Sequence, residues 1–189
     1  MCNDTLNIIY DVSDKYLIEF ILCLLNSNLI NIWFKKTFPA GLHIKVNQLE
    51  QIPIPVISRE EQLIFIDLAC KMLSLTKASQ EKRNRFLHRL EDNFQGLKIT
   101  GALSTFDQMK FADFLKELKK QKITLKLIEQ DDWEEYFNSY RSACLELTKQ
   151  IAETDKEIDF RVYKLYGLTY DEVLIIDANF DVSREKYEL

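Results

Sequence analysis

Asp107 together with Glu117-Leu118-Lys119 follows the order of the carboxylate and Glu-x-Lys set that holds a divalent metal in many nucleases. Such sets normally sit on strands. Here they fall in a segment, Asp107 to Gln121, whose Phe111, Phe114, Leu115 and Leu118 recur at helical spacing, and where Glu and Lys are ordinary surface residues. A serine or cysteine nucleophile needs a histidine base, and nothing places His43 or His88 beside one. The four glycines, at 41, 96, 101 and 167, are isolated, so there is no phosphate-cradling loop. Cys2, Cys23, Cys70 and Cys144 form no CxxC pair, which with two histidines leaves little from which to build a zinc site. The Asn-Pro-Pro-aromatic motif of amino-methylating DNA methyltransferases is absent, because Pro39, Pro53 and Pro55 are the only prolines. The chain therefore reads as non-catalytic, with no cofactor expected.

Basic clusters remain. Between Lys77 and Lys98, the cations Lys77, Lys82, Arg83, Arg85, Arg89 and Lys98 exceed Glu81, Glu91 and Asp92 by three, with His88 among them. Lys35, Lys36 and Lys45 flank a Pro39-to-Gly41 loop, and Asn47 and Gln48 follow it. Lysine and arginine at such positions suit phosphate contacts, which orient a protein on duplex DNA, while Asn47 and Gln48 suit base edges. The plainer alternative makes the arginine run a solvated helix face and Asn47 the cap of a short turn through Gln51. The net charge of −5 is unevenly spread: residues 1–151 balance 20 acidic against 20 basic side chains, and 152–189 carry 10 against 5. A uniformly basic coat is excluded, and a local basic face is not.

The elements that would hold these residues are mostly helical. Thr5–Val12 and Leu42–Val46 read as strands, and Ile52-Pro-Ile-Pro-Val56 as an extended edge or crossover segment. Asp14 is placed to cap a helix through Leu25, broken at Asn26-Ser27-Asn28 and followed by a second helix to about Lys35. Ser58 and Glu61 form a capping box ahead of Leu63, Ile66, Cys70 and Leu73. That helix either projects beyond Leu75 or breaks near Ser79 before Phe86, Leu87, Leu90 and Phe94 resume the pattern. Asp131 and Glu134 open a long helix to Tyr166 with the stripe Trp133, Phe137, Tyr140, Cys144, Leu147, Ile151, Ile158, Val162 and Leu165. Gly167 stops it, and a second box, Thr169 with Glu172, starts a short folded-back helix. The expected fold class is α+β, predominantly helical, with a small mixed lobe of a few strands over residues 1–75. Residues 76–189 form a helical region, the segments Ser58–Phe94 and Asp131–Tyr166 pairing as antiparallel helices. The apolar run from Leu17 to Phe34 is interrupted by Glu19 and four polar residues, so it reads as core helix and not as a membrane span. Cysteines buried within helices suit a reducing, cytoplasmic setting.

Two parts of the chain carry a family pattern. The first is Leu25-Asn26-Ser27-Asn28-Leu29-Ile30, followed by Gln48-Leu49-Glu50-Gln51-Ile52-Pro53-Ile54-Pro55 and by Glu61-Gln62 opening a helix. The second is Glu157-Ile158-Asp159-Phe160-Arg161-Val162-Tyr163-Lys164-Leu165-Tyr166-Gly167-Leu168-Thr169 with Glu172. Together they resemble the TaqI-like C-terminal specificity domain of restriction–modification methyltransferases, above all the fused type IIG enzymes. The resemblance implies a target recognition domain that reads double-stranded DNA, with helices like the spacer of type I specificity subunits. Its partner would be a DNA methyltransferase domain or subunit, which in the family lies upstream. Because the family has more β-structure ahead of the Leu-Asn-Ser helix, the chain is expected to be a partial recognition domain. The DNA contacts expected are Lys35, Lys36, Lys45, Asn47, Gln48, Lys82, Arg83, Arg85 and Arg89. The alternative is a helical interaction module, docked on a methyltransferase or forming a homodimer through the Trp133–Leu165 stripe, without DNA contact of its own.

Overall fold

The computed structural model describes residues 14–39 and 44–189. In chain order the helices are α1 (Ile18–Asn26), α2 (Asn28–Thr37), α3 (Val46–Leu49), α4 (Arg59–Asn93), α5 (Gly101–Ser104), a 3-10 turn (Phe106–Gln108), α6 (Phe111–Lys120), α7 (Leu127–Leu165), α8 (Tyr170–Ile176) and α9 (Arg184–Glu188).

No β-strand occurs among the described residues, which overturns the α+β expectation. The stretch Thr5–Val12 lies outside them, as do Leu42 and His43. Ile44 and Lys45 are irregular, and Val46 already begins α3. Ile52–Val56 joins no ladder; its prolines lack an N–H, and the Pro53 carbonyl accepts the Tyr166 hydroxyl at 2.6 Å. Five alternating residues are a weak signal, and a strand forms only where another offers it hydrogen bonds.

The chain forms two compact units, Met1–Met72 with Thr154–Leu189, and Leu73–Glu153. In the first, α1 buries Phe20, Ile21, Cys23 and Leu24 against Phe65 and Ala69 of α4 and Ile158 and Val162 of α7. The α1 start lies at Ile18, not at an Asp14 cap, because the buried Gln62 amide takes the Leu17 N–H at 2.8 Å and donates to the Lys15 carbonyl at 2.8 Å. Ser27 closes one helix and opens the next: its hydroxyl donates to the Leu24 carbonyl at 2.7 Å and accepts from Ile30 N–H. Across this break the Asn28 N–H donates to Asp159 Oδ1 at 2.7 Å. No single described helix is long and apolar enough to cross a membrane; α1 and α2 reach that composition only as a pair bent by 63°.

Gly167, at φ +66, ends α7 in a Schellman motif, with Leu168 N–H bonded to the Tyr163 carbonyl and Gly167 N–H to that of Lys164. The Thr169–Glu172 box starts α8, and Val173 and Tyr187 fold back on Tyr163. The Ser58–Glu61 box starts α4 in the same reciprocal way.

The second unit is an aromatic core. Phe86 lies between Phe106, Phe114, Phe137, Tyr136 and Tyr140, and Phe94 meets Trp133 with ring centres 5.0 Å apart. Within it α4 and α7 run antiparallel, since Phe94 faces Trp133 while Arg83 reaches Thr148. Helix α4 continues through Ser79, which is buried. Helix α7 starts at Leu127, four residues ahead of Asp131, because Glu129 reaches back to the Lys126 N–H at 2.7 Å.

Candidate nucleic-acid interface

In the first unit Lys35 and Lys36 occupy the last turn of α2, where cations offset the negative end of the helix dipole. Both are exposed, and neither has an ion-pair partner among the described residues. Beside them Trp33, Phe34 and Phe38 form a half-buried aromatic cluster, Phe34 and Phe38 lying 4.9 Å apart between ring centres. Lys45 precedes α3, and its N–H donates to Gln48 Oε1 at 2.9 Å. That bond makes Lys45 the cap position and puts Asn47 inside the short helix, correcting its expected role as a cap. The Asn47 side chain is exposed, and the Asn47 backbone carbonyl accepts from the Gln51 side-chain amide.

The expected contacts of the second unit are less free. Arg83 forms a two-pronged ion pair with Asp107, Nη2 to Oδ2 at 2.8 Å, and also reaches Thr148 Oγ1. The Asp107 side chain is only 2% exposed, so this pair is internal. Lys82 Nζ lies 5.3 Å from the centre of the Tyr140 ring, a cation–π contact. Arg85 and Arg89 are exposed. Arg89 borders an open hollow of about 240 Å³ with Asn93, Asp132, Trp133 and Tyr136, whose hydroxyl burial pushes above its ordinary pKa. The arginine run is thus split, two side chains turned to the surface and Arg83 turned inward.

The nuclease-like set does not assemble. Asp107 is taken by Arg83 and Glu117 by Lys120 at 2.5 Å, and no group of three or more His, Cys, Asp or Glu residues able to hold a metal occurs among the described residues. Cys23 is buried and its thiol is pushed up to about 11, mainly by burial; Cys70, expected inside, is exposed. A hollow of about 320 Å³ in the first unit is lined by Asn26, Asn28, Asp155, Asp159, Asp177 and Asp181 among others, an acidic surface unsuited to phosphate. Sequence reasoning missed the inward turn of Arg83, which no local pattern marks, and the Asp159 contact to α2.

These features define a helical module that carries exposed cations on both units. The family model of the domain of unknown function DUF8810 matches residues 58–162, more than half of the chain, and the chain belongs to that family. A second model, the TaqI-like C-terminal specificity domain, matches residues 1–54. That match takes in Leu25–Ile30 and Gln48–Ile54, while the Glu157–Glu172 stretch lies beyond it. No curated protein and no solved structure matches.

Proposed function

We propose that the chain is a DNA sequence-recognition module of a restriction–modification system, acting in the cytoplasm with a DNA methyltransferase domain or subunit. The observation that carries this reading is the specificity-domain match over residues 1–54, the segment in which Lys35, Lys36 and Lys45 stand exposed without a carboxylate partner among the described residues. In this reading those lysines, with Arg85 and Arg89, neutralise backbone phosphates, and Asn47 and Gln48 offer amide groups to base edges. Arg83, bound to Asp107, acts in this reading by holding the second unit together, while Lys82, half-buried against Tyr140, keeps its charge near the surface.

Fluorescence anisotropy of labelled random duplexes tests the reading. Affinity should fall steeply between about 50 and 200 mM salt. Replacing Lys35, Lys36 and Lys45 by Ala should flatten the dependence of log K on log salt by roughly 0.9 for each phosphate left without its lysine. With a site selected from the pool, Asn47→Ala should cost about 1–3 kcal/mol of discrimination. No binding at the lowest salt would overturn the reading.

A further inference from the structure

The residues from Lys98 to Lys126 hold seven lysines and three carboxylates in a chain that is acidic overall. Each of the three carboxylates is already engaged. Asp107 is bound to Arg83, Asp113 to Lys116 at 2.8 Å and Glu117 to Lys120. Lys110 lies in the field of Asp113, and Lys126 adjoins Glu129 at the acidic start of α7. That leaves Lys98, Lys119 and Lys122, which are not buried and have no ion-pair partner among the described residues.

Two features bring these three together. The Gln121 side chain clasps the backbone of Lys98, accepting its N–H at 2.8 Å and donating to its carbonyl at 2.9 Å. The loop after α4 is thereby fixed to the end of α6, where Lys119 lies in the last turn and Lys122 just beyond it. The second feature is a backbone conformation. Helix α6 ends in a Schellman motif, with Ile123 N–H on the Leu118 carbonyl and Lys122 N–H on that of Lys119. The residue in the left-handed position is Lys122, at φ +65, the one non-glycine with positive φ among the described residues. Helix α7 ends in the same motif, and there the position is filled by Gly167 at φ +66. Glycine takes this conformation without the steric cost that a β-carbon incurs. A lysine kept at a position that favours glycine points to a use for its side chain.

We infer that Lys98, Lys119 and Lys122 form a contact surface for the phosphodiester backbone of duplex DNA. The inference rests on the DNA-recognition reading above and adds to it a grip beyond Arg85 and Arg89, in another part of the DUF8810 region. Three exposed cations without an ion-pair partner among the described residues suit a polyanion and repel a cationic ligand.

Lys122→Gly separates structure from binding, because relief of the left-handed strain and loss of the cation act in opposite directions. The variant should raise the unfolding midpoint, weaken duplex binding several-fold at about 100 mM salt, and flatten the salt dependence by about 0.9. Lys122→Arg should keep wild-type affinity. Lys98→Ala with Lys119→Ala, both at exposed positions, should flatten the slope by roughly 1.8. If the wild type binds duplex and all of these variants bind with the same affinity and slope, the lysines serve only the helix end and the inference falls. If the wild type binds no duplex at about 50 mM salt, the recognition reading itself falls, and this surface with it.

Discussion

Both units have an apolar core, and they differ in the polar contacts added to it. The second, built from consecutive residues 73–153, packs Phe86, Phe106, Phe111, Phe114 and Phe137 into one apolar cluster and sets one internal ion pair, Arg83 with Asp107, beside it. The first is assembled from two stretches far apart in sequence, joined by the apolar cluster of α1, α4 and α7 and, in addition, by polar contacts. Asn28 meets Asp159 across 131 residues, and Tyr166 meets Pro53 across 113. Buried Gln62 ties α4 to the start of α1. Apolar packing tolerates small slips of register, whereas a hydrogen bond forms in one alignment only. Segments that arrive from opposite ends of a chain gain most from the directional kind.

Breaking the ion pair should have the largest effect. Arg83→Met leaves the Asp107 carboxylate buried without its cation and should cost about 3–5 kcal/mol of unfolding free energy. Pairing it with Asp107→Leu should recover most of that loss, because both charges are then gone. Urea denaturation followed through Trp133, with Trp33 replaced by Phe, reads both variants. If the single variant loses under about 1 kcal/mol, the second unit is held by its rings alone. A smaller loss, about 1 kcal/mol, is expected from Gln62→Leu, which removes the hydrogen bonds to the Leu17 N–H and the Lys15 carbonyl. Here Trp33 is the reporter, and an unchanged midpoint would remove directional bonding from the account of the first unit.

The contrast also explains what the sequence made legible. Helix ends set by neighbours three to five residues away could be read in advance: the Ser58–Glu61 and Thr169–Glu172 boxes and Gly167 stand where their patterns put them. Ends set from a distance could not. The start of α1 depends on Gln62, 45 residues away. The start of α7 is local, Glu129 reaching Lys126, but it was hidden because Lys126 has no capping side chain. Lys122 hid a helix terminus because glycine, the usual sign, is not there. The strand reading of Leu42–Val46 failed at Ile44–Val46, the part of it among the described residues, because alternation measures a local preference, while a strand is a property of pairing. Of the nine expected DNA contacts, Arg83 turned inward because Asp107, 24 residues on, offers a carboxylate at the edge of the aromatic core. Charge in a sequence shows that cations are present; the fold decides which of them remain free.

The smallest effect, and the sharpest test of the contrast, lies in Asp159. Burial, reinforced by Asp155 and Asp177, pushes its carboxyl up from 3.8 to about 6, while the Asn28 N–H that it accepts pulls the other way. The folded first unit therefore holds this proton more tightly than the unfolded chain does. The resulting stabilisation is full below pH 3.8 and is lost as pH rises through about 6. Asp113 and Asp181 have the opposite sign: their lysine partners lower their carboxyls, so their contributions are lost on acidification. Asp159→Asn keeps an oxygen for the Asn28 N–H and removes the titration. Measured through Trp33 at a series of pH values from about 4 to 8, the variant should gain on the wild type as pH rises, by on the order of 1 kcal/mol at the upper end. A difference that stays constant across the series would mean that the Asn28 bond is indifferent to charge. The closure of the first unit would then be as insensitive to protons as the ring packing of the second.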